Sequence, residues 1–98
     1  MSNFNFTSQV CTSREQSERL LALGLKKETA DMYIFDVEVY IGKPNIDDIP
    51  AWSLHRLIEI AELPQYWECI SGNWYEEVIA SIQSKIHIGE LNKEYLEE

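Results

Sequence analysis

The chain has 98 residues, of which 45% are hydrophobic, and carries 17 acidic against 8 basic side chains for a net charge of −9. That is enough apolar material for one domain with its own core, and too much for a chain without one. Lys26-Lys27 is the only adjacent basic pair, so direct contact with nucleic-acid phosphates or with an anionic membrane surface is disfavoured.

In chain order, Phe4, Phe6, Ser8 and Val10 alternate with Asn3, Asn5, Thr7 and Gln9, the period-two pattern of a short strand. A helix is predicted over 13–23. Thr12 with Glu15, or Ser13 with Gln16, supplies its capping box, Leu20, Leu21 and Leu23 its apolar stripe, and Gly24 its stop. Residues 25–31 read as a connector with one further turn over 27–31. A single long strand is predicted from Tyr33 to Ile41. Tyr33, Phe35, Val37, Val39 and Ile41 form its covered face, and Ile34, Asp36, Glu38 and Tyr40 its wet face.

Gly42, Pro44 and Asn45 end that strand, and 45–49 read as loop. A second helix is predicted over 53–61. Ser53 caps it, Trp52 and Leu57 form a hydrophobic staple, and Pro64 stops it. Tyr66 to Ser71 is a third strand candidate. Asn73 then caps a third helix, Glu76 completes a near capping box, Tyr75, Val78, Ile79, Ile82 and Ile86 form the stripe, and Gly89 ends it. The expected order is β-α-β-α-β-α: a small α+β or α/β fold of two layers, with about three short strands covered on one face by three helices. Residues 1–89 form the single globular domain, and 90–98 a partly mobile acidic tail.

Residues that could carry chemistry are few. Cys11 and Cys69 have no disulfide-framework or C-x-x-C spacing and are expected to be reduced and buried. His55 and Glu59 are i,i+4 on one helix, two ligands where a zinc site needs three or four, so no metal or other cofactor is expected. Ser53-Leu54-His55 and Cys69 offer nucleophile and base types without a spacing that joins them. Asp47-Asp48 and Glu76-Glu77 lie in a loop and in a first helical turn, and the helix dipole accounts for the second pair. The four glycines are isolated and cradle no phosphate. No run of residues approaches the ~18 apolar positions of a membrane span, and residues 1–10 show no secretory leader. The expected location is the cytoplasm.

The aromatic load is the unusual feature: three Trp and five Tyr. An aromatic left out of the core is an interface anchor, and Trp67, Trp52 and Tyr33 are the candidate partner-binding residues. Trp67 leads because its strand is expected at an edge. The strings Thr12-Ser13-x-Glu15-Gln16-Ser17, Leu23-Gly24-Leu25, Thr29-Ala30-Asp31-Met32-Tyr33 and Pro50-Ala51-Trp52-Ser53-Leu54 resemble uncharacterised small proteins of phage and prophage regions in Bacteroides-like gut bacteria and Firmicutes. The resemblance spans roughly residues 12–60. It implies a mobile-element accessory protein and carries over no activity. The expected function is a protein-interaction module, its partner another protein or a second copy. An acidic DNA mimic that blocks a nucleic-acid-binding protein is the alternative, and a small enzyme comes last.

Overall fold

The computed structural model describes residues 9–64 and 66–97. Among them are three helices and one three-stranded antiparallel sheet, an α+β fold. The order is α1 (Arg14–Ala22), β1 (Met32–Phe35), β2 (Glu38–Ile41), β3 (Ile49–Ala51), α2 (Leu54–Ala61) and α3 (Trp74–His87), with 3₁₀ turns at Lys27–Thr29 and Lys93–Tyr95. The helices therefore do not alternate with the strands as expected. The strand anticipated over 3–10 lies outside the described residues, apart from Gln9 and Val10, which are irregular.

The helices form where local chemistry demands. Of the two possible capping boxes at α1, Ser13 and Gln16 make the real one, each side chain bonded to the other's backbone N–H. Thr12 is drawn inward instead. Its hydroxyl meets Ser17 Oγ at 2.8 Å and accepts from Trp52 N–H at 3.0 Å, while its own N–H donates to the Trp52 carbonyl at 2.9 Å. At the far end of α1, Gly24 takes φ +104°, and the Gly24 and Leu25 N–H groups donate back to the Leu21 and Leu20 carbonyls, a Schellman closure. Helix α2 closes the same way without a glycine, because Glu62 itself adopts φ +56°.

Helix α3 differs from expectation at its start. Asn73 makes no side-chain cap. Glu77 reaches back to the Ser71 N–H at 2.6 Å, and Glu76 leaves its own helix to bind Arg19 and Gln16 of α1. Leu20, Leu57, Ile60, Val78, Ile79 and Ile82 close over one another with Trp52 as the core. Trp52 and Leu57, the predicted staple, are both fully buried, and the indole N–H donates to Thr29 Oγ1 at 2.9 Å.

The long strand predicted over Tyr33–Ile41 is a hairpin. Asp36 takes φ +61° at the first of two turn residues, and β2 folds back on β1 with Phe35 opposite Glu38, Ile34 opposite Val39, Tyr33 opposite Tyr40 and Met32 opposite Ile41. The turn carries no Gly, Asn or Pro, the usual two-residue hairpin signals, and the apolar alternation runs straight through it. Directly paired residues share a face, so reversal deals the side chains differently from a straight strand. Ile34, Val39, Met32 and Ile41 lie on one face; Tyr33, Phe35, Glu38 and Tyr40 lie on the other.

β1 is central, with β2 and β3 at the edges. β3, which was not anticipated, begins at the last residue of the expected loop and contains Pro50, opposite Tyr33, a residue sheets admit at their edges. The third strand expected at Tyr66–Ser71 is irregular chain. The segment after Gly89, expected to be a mobile tail, returns to the body. Leu91 is buried, Leu25 and Leu96 form a β-bridge, and the Glu97 N–H donates to the Gly24 carbonyl at 2.7 Å.

Candidate interaction surface

Polar groups that resembled catalytic parts are spent on holding the fold. Ser53 Oγ donates to Asp31 Oδ2 at 2.6 Å and accepts the Arg56 N–H, so it caps α2, and the carboxylate beside it is also held by the Ser53 N–H. Glu59 pairs with Arg56 at 2.9 Å and leaves His55 alone on the exposed side. The Arg56 Nε also donates to the Thr29 carbonyl, and its guanidinium lies 5.6 Å from the Tyr95 ring centre, which ties α2 to the returning C-terminal segment.

Burial, with Asp31 nearby, pushes the Cys11 thiol up and keeps it in the weakly nucleophilic thiol form. Burial and the neighbouring Cys11 push the Tyr75 phenol up as well. Cys69 is half-buried with its Sγ 3.7 Å from Ser71 Oγ. Among the described residues no three His, Cys, Asp or Glu side chains gather as a metal-holding group. No described helix is long and apolar enough to cross a membrane.

The three aromatic candidates have separate fates. Trp52 is fully buried and cannot be a surface anchor; the staple and the Thr29 bond occupy both its face and its N–H. Trp67 is half-buried against the core, with its ring edge-on to Trp74 at 5.5 Å and 81°. It belongs to an irregular loop rather than a strand, and Trp74 is the more exposed of the pair, together with Tyr66 and Ile70. Tyr33 stacks on Tyr40 at 5.3 Å and 22° across the hairpin. The structure does not bring Tyr33 and Trp67 into one ring cluster.

The hairpin itself went unrecognised in the sequence as a surface. Val37 is 85% exposed, Ile41 87% and Phe35 58%, and Val39 and Tyr40 are also exposed. These residues, expected to be mostly core, are outside because only Met32 and, in part, Ile34 meet the rest of the molecule, through Cys11 and Ala51. A shallow groove of about 600 Å³ runs on this face between Val10, Cys11, Ile34, Val37 and Val39. A smaller one, about 420 Å³, lies between Leu23, Ala80, Ile86 and His87. Gln9, Arg14, Gln16 and Asp36 form the polar part of the first rim, and Gln83, Ser84 and His87 that of the second.

β2 also presents an open edge. The Gly42 N–H donates to the Asp31 carbonyl at 2.9 Å. In an antiparallel pair the hydrogen-bonded positions recur every second residue, so Glu38, Tyr40 and Gly42 bond inward to β1. The amides and carbonyls of Val39 and Ile41 point outward, and no described strand pairs with them. The charge of Glu38, then the partial cover around the ring, push the Tyr40 phenol up, and Glu38 is the first residue of the edge strand. No family model matches the chain, and no curated protein or solved structure is significantly similar to it.

Proposed function

We propose that this protein is a protein-binding module whose contact surface is the β1–β2 hairpin. The observation that carries the reading is the exposure of Phe35, Val37, Val39, Tyr40 and Ile41 together on one hairpin, while Ile46, Tyr66, Ile70, Trp74 and Ile88 are exposed at more scattered positions. Apolar side chains grouped on an outer edge contribute little to folding and mark an interaction site. The open β2 edge adds a row of backbone donors and acceptors, so the fitting partner is an extended polypeptide segment that pairs as a further strand. The charge of −9 favours a protein partner over a phosphate backbone.

A photo-reactive amino acid at Val37 tests this, with the same group at exposed Glu18 of α1 as the control. Irradiation in the native cell should give discrete protein adducts from position 37 and none from position 18. Equal labelling at both, or none at either, rejects the hairpin as the contact surface. A gel shift with duplex DNA or RNA at low salt that fades as salt rises would reject the choice of a protein partner.

A further inference from the structure

We infer that the strand added to β2 is the β2 of a second copy, joined antiparallel about a two-fold axis centred on Tyr40. This rests on the hairpin being the binding surface and names what it binds. The outward groups belong to Val39 and Ile41, and an antiparallel neighbour must meet them with outward groups of its own. Placing Val39 opposite Ile41 of the partner subunit satisfies this twice by symmetry, since Ile41 then meets the partner's Val39. The residues overlapped run from Glu38 to Gly42, so the Asp36-Val37 turn stays clear of the pairing.

The side chains agree with that register on both faces. On one, Val39 and Ile41 from each copy make a continuous apolar strip beside Ile34. On the other, Tyr40 meets the partner's Tyr40, and the stacked Tyr33–Tyr40 pairs extend into a row of four rings. Aromatic pairs directly across strands are among the more favourable contacts a sheet offers. The two three-stranded sheets would become one of six strands with both β2 edges removed.

Charge selects this register over its neighbour. With Tyr40 on the axis, Glu38 lies opposite Gly42 and next to Lys43 of the partner subunit, and the two Glu38 carboxylates stand ~14 Å apart along the strands at 3.4 Å per residue. A slide of two residues that centres Val39 halves that separation to ~7 Å, inside the screening length at ordinary salt. The pairing draws on the exposed Val39, Tyr40 and Ile41 of each copy, a contact smaller than the ~800 Å² each partner gives to a standard interface and therefore of the weak, concentration-dependent class. Each copy brings a charge of −9, so the dimer tightens as salt rises.

Sedimentation across concentration at low and high salt, with disulfide trapping, tests the inference. In a Cys69→Ser background, Tyr40→Cys should form a disulfide-linked dimer on mild oxidation. Positions paired on the axis without mutual hydrogen bonds sit ~4.5 Å apart at Cα, within the span a disulfide bridges. Val39→Cys should stay unlinked, because it faces the partner's Ile41. Ile41→Lys, at a position almost wholly exposed and therefore harmless to the monomer fold, should weaken association at least tenfold. Faster linkage through Val39→Cys overturns the register. A parent protein monomeric at every salt, or a dimer indifferent to Ile41→Lys, overturns the second copy as occupant. In that event adducts from the photo-reactive group at Val37 to a different protein leave the binding surface standing, and their absence removes it too.

Discussion

The helical body and the hairpin treat their apolar residues in opposite ways. In the body, Leu20, Leu57, Ile60, Val78, Ile79 and Ile82 have no solvent exposure at all. In the hairpin, a run of equally apolar side chains faces outward. Helical spacing gathers its stripe on the side that meets the other helices, so one pattern sets both the element and its buried face. Strand alternation sorts residues to two faces without saying which is covered, and it survives a chain reversal unnoticed. The body's apolar residues account for stability; the hairpin's are available for contact.

The sharpest way to break this contrast is at the centre of the body. Trp52→Ala removes the staple and leaves the Thr29 hydroxyl without its indole donor. Urea unfolding should show a loss of about 3–5 kcal/mol, and a midpoint equal to that of the parent would mean that the body does not depend on this side chain. Next is Thr12→Val. It deprives the buried Ser17 hydroxyl and the Trp52 N–H of their shared partner, and about 1–3 kcal/mol should be lost for the groups left unsatisfied.

The clamp between α1 and α3 gives a smaller, pH-dependent effect. Hydrogen bonds from Gln16, then Arg19, hold the Glu76 carboxyl below its ordinary 4.5. The folded chain therefore binds this proton less readily than the unfolded one. The stabilisation is present above about pH 4.5 and fades as pH falls through the lower folded value. Both partners are about half exposed, so the contribution stays below about 1 kcal/mol. Glu76→Gln should flatten the acid limb of a stability-versus-pH curve, and an unchanged limb would show that the clamp is idle.

Glu62→Gly should stabilise by about 0.5 kcal/mol, the remainder when the ~0.5–1 kcal/mol entropic cost of glycine is set against roughly 1–2 kcal/mol of left-handed strain. A loss in the thermal melt would place the strain elsewhere. Ile41→Thr should do least. Below the concentration of self-association its unfolding free energy should match the parent within ~0.5 kcal/mol, as for other exposed positions. A loss above 1 kcal/mol would show that the monomer itself covers the hairpin and would erase the contrast.

Helix positions and caps were legible because they are local. Ser13 and Ser53 lie at the N-caps, Gly24 and Gly89 just past the ends, and Tyr75, Val78, Ile79 and Ile82 of the α3 stripe are buried, with Ile86 half-buried at its end. The staple of Trp52 on Leu57 depends on adjacent chain and could be read directly. The candidate surface was less legible. Tyr33 does lie on the hairpin, but Trp52 is a large aromatic beside a helix start, as suited to a core as to an interface, and the core takes it.

What the sequence determined by itself is the set of helices and their extents, since these follow from contacts within a few residues; the cap of α3 and the exposed Leu21 of α1 departed from the local pattern. Only the tertiary structure decided the rest. Asp36 turns left-handed and reverses the chain between β1 and β2; Asp tolerates that conformation, but the Val37 that follows continues the apolar alternation and hides the turn. Thr12 abandons the cap for Trp52, forty residues away, and Glu76 abandons its own helix end for Arg19. Leu91 and Leu96 draw an acidic tail back to Leu25. Where a near partner competes with a far one, burial strengthens the far contacts of Thr12 and Leu91, and charge strengthens that of Glu76 with Arg19.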